Sequence, residues 1–475
     1  MSSSAYARAS SFWPLSLLAL TSVHCQQSNP PCDTSSGGSS AGAPAVVQPG
    51  AGTAGASPVV SAAGSTSAGA GGSPAAAGAA GSMPAEPRGP TPAANGVNFP
   101  FPQNRFSANC TYPNFRNSDV KAAYEKWKAD TVTADGAAGF LRVKRANEPG
   151  DLEPNSTVSE GIAYGMLIAV YMGDQSLFDS LWKYEQQFLG KNGLMDWYIL
   201  ANGKDRGENG SGAASDADED MAWALVMADK QWGGKGSLND TYLNIAKHQI
   251  EQVYNTEIQD DKLLKPGDGW GGWSTVNPSY FAPSYYRVFA KVSGNDKWNQ
   301  VLQTSYETLA KSLNSANGNT ENGLVPAWCT SDGVPNPNVW MSGNAPTHYQ
   351  YDSCRTPFRI GLDYCHFGET RAKDYVAKTS QFFANIGAKQ MVDGYDLNGT
   401  PRPQYQGGQS AAFVGPAAVG AMSSATYQSF IQAGYDNVAT MNLLVGGVYY
   451  DESWTVLSLL MMSGNFLDYT ALSPM

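Results

Sequence analysis

The arrangement of apolar residues after about Val97 constrains the fold more than any other feature, because it alternates between two patterns that need different surroundings. One set of segments carries apolar residues three and four apart with charges on the remaining face, which suits a helix with one side in water. These run Asp119 to Ala129, Asp174 to Leu189, Asn239 to Tyr254, Asp296 to Leu313, Arg371 to Ile386 and Thr426 to Met441. Between them lie Glu160 to Met172, Asp216 to Lys230, Pro278 to Val292, Ser353 to Tyr364, Ser410 to Met422 and Glu452 to Met462, rich in small and apolar residues on all sides. A helix of the second kind has to be enclosed by protein. About a dozen helices in roughly six hairpins predict an all-α fold, an (α/α)6 barrel whose inner helices are the second of each pair. An open helical solenoid is the alternative.

If consecutive hairpins repeat the same sense, all inner helices start at one end of the barrel. Those starts read "TVSEG", "ASDADED", "NPSY", "YDSCR", "GGQS" and "YYDES", so that end collects Glu160, Asp216, Asp218, Asp220, Tyr280, Asp352 and Arg355. Hydrolysis of a glycosidic bond needs such a set: one protonated carboxyl for the leaving oxygen and one carboxylate to activate water or attack carbon. Trp197 in "GLMDWYI" and Trp270 and Trp273 in "KPGDGWGGWSTVNPSY" lie in loops leading to inner helices, where indoles can stack on sugar faces.

Taken singly, each residue also has a structural reading. Glu160 is a first-turn acid that complements a helix dipole. Asp216 fits an N-cap with Asp218 and Asp220 in the first turn, and Asp352 and Arg355 fit an ion pair across one turn. Trp197 and Trp270 fit the core as well as a cleft. Counting an EF-hand from Asp216 puts Met221 and Met227 where Gly and Glu are required, which excludes that calcium loop.

A net charge of −11 argues against nucleic acid and anionic lipid as main partners. Six Cys at positions 25, 32, 110, 329, 354 and 365, with only 4 His, lack zinc-ligand spacing, so neither a metal nor another cofactor is expected. Their disulfide pairing is left open.

At the N-terminus, Arg8 precedes the apolar run Phe12 to Val23, too short to span a bilayer and suited to a secretory signal. Residues 1–25 are therefore expected to direct export, with Cys25 a candidate lipid attachment site. Residues 26–96 are dominated by Gly, Ala, Ser, Pro and Thr and form a linker that cannot build a core. The folded body is assigned to 97–475.

Several motifs converge on one family. "TVSEGIAYGMLIAVYMGD" with "GLMDWYI", "SDADEDMAWALVMADKQW", "NPSYFAPSYYRVFA" and "YDSCRTPFRIGLDY" resemble glycoside hydrolase family 8, inverting enzymes on an (α/α)6 barrel. The resemblance spans nearly all of the chain from about Phe99. It implies Glu160 as general acid, Asp352 as general base oriented by Arg355, and Asp216 as the residue holding the distorted sugar and stabilising positive charge at its anomeric carbon. It further implies Tyr280 as a holder of the attacking water, and Trp197, Trp270 and Tyr351 as aromatic subsite positions. An exported endo-acting β-1,4-glucanase is the expected function, acting on polysaccharide or oligosaccharide. Chitosanase and xylanase are the alternatives within the family, and a tethered carbohydrate-binding protein is the alternative outside it.

Overall fold

The structure is a computed structural model that describes residues 96–146, 153–207, 210–339, 346–404, 408–441 and 448–473. These belong to a compact unit spanning 85–475. The expected signal, Cys25, Cys32 and nearly all of the linker lie outside the described residues.

Among the described residues, six helices form an inner ring: α2 (Ser159–Met172), α4 (Ser215–Trp232), α6 (Pro283–Ser293), α8 (Thr356–Phe367), α10 (Ala411–Ala421) and α12 (Tyr449–Met462). Six surround it: α1 (Asn117–Thr131), α3 (Gln175–Glu185), α5 (Tyr242–Glu257), α7 (Trp298–Ser312), α9 (Thr370–Ile386) and α11 (Gln428–Met441). The expected boundaries hold to within a few residues. Two shifts have a clear cause. Pro357 starts α8 late, leaving Asp352 and Arg355 in the preceding turn, and a separate 3-10 turn at Pro278–Tyr280 precedes α6.

Closure is visible in the contacts, which run α2–α4–α6–α8–α10–α12 and back to α2, so the solenoid alternative is excluded. Each inner helix from α2 to α10 packs against the outer helix that follows it in the chain. The last, α12, packs against α1, so the first and last helices seal the ring. The sequence pairs α1 with α2 instead, because alternation gives the order of layers and not which neighbour is nearer.

The inner helices pack closely because they are built of small residues. In α10, "AAFVGPAAVGA", every side chain is buried. A Cβ on Gly420 would lie 3.0 Å from Pro357 Cβ and 3.2 Å from its carbonyl oxygen, so α8 and α10 approach at a distance that a larger residue would widen. At the ends of the inner helices remote from their starts, Arg287 of α6 pairs with the fully buried Asp363 of α8 and with Glu369. This charge cluster ties two hairpins together. The Cys110–Cys365 disulfide joins the segment before α1 to the end of α8, while Cys329 and Cys354 are free and buried.

Candidate active site

Short antiparallel pairings bring the loops to the helix starts. Thr157 and Val158 pair with Ile199 and Tyr198, and the Ser159 amide donates to the Trp197 carbonyl at 2.9 Å. Trp197 is thereby fixed beside the first turn of α2, one residue from Glu160. The buried Arg142 holds this corner, donating to the carbonyls of Asp135, Asn155 and Ala201 and to Thr157 Oγ1. At α4, the Ser215 hydroxyl donates to the Lys265 carbonyl at 2.7 Å and its amide to the Pro266 carbonyl. Asp268 accepts from the Ala213 amide, which draws the Trp270 loop over Asp216. Gly267 permits this approach, since a Cβ there would lie 2.4 Å from the Ala213 carbonyl oxygen and 2.7 Å from Trp270 Nε1.

These elements surround a cleft of about 510 Å³ whose wall includes Glu160, Asp216, Asp352, Tyr280, Trp197 and Trp270. Behind the three carboxylates lies Arg355, with a side chain only 1% exposed. Its Nη1 donates to Glu160 Oε2 at 2.5 Å and to Asp216 Oδ2 at 2.6 Å. Nε donates to Ser279 Oγ at 3.2 Å, and the guanidinium lies 4.9 Å from the centroid of the Tyr280 ring. The 3-10 turn supplies both groups, with Asn277 Oδ1 accepting from the Ser279 amide and hydroxyl.

Asp352 is the more open carboxylate, its side chain 28% exposed against 18% for Glu160 and 3% for Asp216. Its Oδ1 lies 3.7 Å from Arg355 Nη2. Closer partners come from elsewhere: Trp328 Nε1 donates to Oδ2 at 3.2 Å and Gln350 Nε2 at 3.0 Å, while the Asp352 amide donates to Gln350 Oε1 at 3.0 Å. Arg355 thus stands within ion-pair distance of Asp352, as expected of a residue that orients it, but does not serve Asp352 alone. Arg355 binds Glu160 and Asp216 most closely, because its position just before Thr356 points the guanidinium across the ring toward α2 and α4.

Glu160 has its pKa pushed up to about 7. Burial is the largest cause, and the charges of Asp216 and Asp352 add to it, against the opposing effects of Arg355 and of a hydrogen bond from the Tyr449 hydroxyl to Oε1. Burial, followed by Asp216, also raises Tyr280 well above the ordinary phenol value, so it stands neutral.

The other acids of "SDADED" leave the cleft. Asp218 accepts from Gln249 of α5, and Asp220 forms a two-pronged pair with Arg359 at 3.1 and 2.8 Å. Glu219 is buried. The two aromatic assignments that fall outside the cleft wall are Trp273 and Tyr351. Glycines 271 and 272, both at positive φ, fold the chain back so that Trp273 Nε1 donates to Asp260 at 2.6 Å and Lys262 covers the ring at 5.3 Å. Tyr351 donates to Asp393 Oδ2 at 3.0 Å and packs edge-on against Phe413. Trp328, Gln350 and Tyr449 go unnoticed in the sequence. Tyr449 stands in the quoted start "YYDES", so its place at an inner-helix mouth was the available signal; Trp328 and Gln350 lie in loops without periodicity.

Residues 99–464 match the model of the glycosyl hydrolases family 8. The chain belongs to that family. Endoglucanase 2 of Ruminiclostridium josui is 41% identical over 382 residues, covering 79% of this chain and 78% of its own. Endoglucanase A of Acetivibrio thermocellus is 40% identical over 350 residues, covering 73% of this chain and 69% of its own. Among solved structures, the apo β-1,3-1,4-glucanase from Paenibacillus sp. X4 superposes with a TM-score of 0.69 at 29% identity, covering 78% of this chain and 99% of its own. The family 8 protein described here is thus an endo-acting glycoside hydrolase, and inversion is the property of its family.

Proposed function

We propose that this enzyme cleaves β-1,4-linked glucan, cellulose or mixed-linkage, by a single displacement in which Glu160 is the general acid and Asp352 the general base. The observation that carries the reading is the division of labour around Arg355. One carboxyl, Glu160, is enclosed and holds its proton up to about pH 7, while the other, Asp352, opens to the cleft. An enclosed carboxyl that keeps its proton suits the acid role, and a more open one with access to water suits the base role.

In this reading Glu160 gives its proton to the glycosidic oxygen as the bond to the anomeric carbon breaks. Asp352, held by Gln350 and Trp328, takes a proton from water on the opposite face. Asp216 stabilises charge at the anomeric carbon, and neutral Tyr280 helps hold the water. Trp197 and Trp270 are the stacking platforms. Inversion requires carboxyls about 6.5 to 9.5 Å apart to admit that water. The relatives named as endoglucanases favour glucan over chitosan or xylan. Side-by-side reducing-sugar release from carboxymethylcellulose, lichenan, chitosan and xylan tests this, with the glucans fastest; faster release from chitosan or xylan refutes the substrate, and no release from any of them favours a binding protein.

Export belongs to the same proposal, with residues 26–96 as a tether and Cys25 as the lipid attachment point. Mass spectrometry of the mature N-terminus tests both, since a protein that keeps Met1 is not processed and one without an acylated Cys25 is not anchored there.

A further inference from the structure

Both carboxyl oxygens of Glu160 have partners, and the partners differ in kind. Oε2 accepts from Arg355 Nη1 at 2.5 Å, whereas Oε1 receives the hydroxyl of Tyr449, the first residue of α12. Tyr449 is 5% exposed, lines the same cleft, and carries the Arg145 guanidinium 5.8 Å from its ring centroid. A guanidinium only donates hydrogen bonds, while a phenol hydroxyl both donates and accepts. A proton placed on Oε2 would face an Arg355 N–H, two donors directed at each other. A proton on Oε1 meets a hydroxyl that can turn to accept it.

We infer that Tyr449 is the positioning residue through which Glu160 keeps its transferable proton on Oε1 and is stabilised once that proton has left. The inference rests on the assignment of Glu160 as general acid. Before reaction, the Tyr449 oxygen accepts from the Oε1 hydroxyl. With substrate bound, the proton passes from Oε1 to the glycosidic oxygen, and the breaking carbon–oxygen bond leaves its electron pair there. Glu160 is then a carboxylate, and the Tyr449 hydroxyl, which keeps its own proton throughout, rotates to donate to Oε1. The contact between the Tyr449 hydroxyl and Oε1 in the structure serves both arrangements, since only the hydroxyl hydrogen turns between them. A donor to an anion binds more strongly than the same group does to a neutral acid, so Tyr449 favours proton release.

Replacing Tyr449 with Phe in the full chain tests this. The alkaline limb of kcat/KM on lichenan is expected to move up by about one pH unit, because a donor to the carboxylate is lost. At the optimum kcat is expected to fall about tenfold. Hydrolysis of a dinitrophenyl β-cellotrioside, whose leaving group needs no proton, should be little changed. If the Phe variant does not fold, 3-fluorotyrosine at position 449 provides the reverse test: a more acidic phenol is a better donor and should move the limb down. A limb that stays in place in the folded variants, with Glu160→Gln inactive on lichenan, overturns the role of Tyr449 alone. Full lichenan activity in Glu160→Gln overturns the general-acid assignment, and the inference with it.

Discussion

Arg355 lies closer to Glu160 than to Asp352: Nη1 is 2.5 Å from Glu160 Oε2, while Nη2 is 3.7 Å from Asp352 Oδ1. The same Nη1 also holds Asp216. One buried cation thus keeps two carboxyls together that would otherwise repel. Lysine supplies the charge without the planar fork, and Arg355→Lys is expected to lower kcat on lichenan by about 100-fold or more. Steady-state kinetics at the pH optimum, with circular dichroism to verify the fold, measures it; a loss under threefold contradicts this role.

Asp352, the proposed base, has a different support. Gln350 makes two contacts with Asp352, one through its amide nitrogen and one through its carbonyl oxygen. Removing them leaves the carboxylate held less firmly, with Trp328 and Arg355 still beside it. Gln350→Ala is expected to lower kcat about 10- to 100-fold with little change in KM. A rise in KM with kcat intact would assign Gln350 to substrate binding instead.

The proposed acid carries a prediction for the upper pH limit. As the proposed general acid, Glu160 would work only when protonated, and its pKa stands at about 7, so kcat/KM should fall above that pH. A pH–rate profile on lichenan measures the limb directly, and a profile flat to pH 9 is incompatible with Glu160 as donor.

Stability carries its own pH dependence away from the cleft. Glu185 is fully buried, and burial pushes its pKa up to about 8 from an ordinary value of 4.5, opposed only by a hydrogen bond from Gln186. The folded state therefore binds the proton more tightly than the unfolded chain. Its full contribution is present below about pH 4.5 and is lost as pH rises through about 8. Glu185→Gln keeps the shape without the titration. Thermal melts should show the variant close to the parent at pH 5 and more stable by roughly 1–4 kcal/mol at pH 9. Equal pH dependence in the two proteins rules this out.

Below the cleft, the pairing of Asp216 with Arg355, the residue just before α8, is repeated one helical turn on by Asp220 and Arg359, which join α4 to α8. Both members of the lower pair are 3% exposed. Arg359→Met leaves a buried carboxylate without its cation and is expected to cost about 3–5 kcal/mol. Adding Asp220→Leu should recover part of that loss in urea denaturation, whereas additive losses would mean that the pair is not coupled.

The layers of the barrel were legible because a helix enclosed by others and a helix facing water demand different residues, as α10 and α9 illustrate. Collecting the inner starts at one end brought Glu160, Asp216, Tyr280, Asp352 and Arg355 together before any coordinates. The sequence did not reveal which side chains meet. Asp216, Asp218 and Asp220 look alike in the chain, yet helical rotation sends them to the cleft, to α5 and to Arg359. Trp270 and Trp273 look equivalent too, and two glycines at positive φ separate them. Trp328 reaches Asp352 from a loop whose course depends on pairing between Cys329 and Val276. Such contacts arise from distant parts of the chain, and no local period records them.

The central claim is that Glu160 supplies the proton and Asp352 activates the water. Its most direct test compares the Glu160→Gln and Asp352→Asn variants on lichenan and on dinitrophenyl β-cellotrioside. Both variants should be inactive on lichenan. Only Glu160→Gln should regain turnover on the activated substrate, because that leaving group departs without a proton while the water still needs its base. Recovery by Asp352→Asn but not by Glu160→Gln would contradict the assignment.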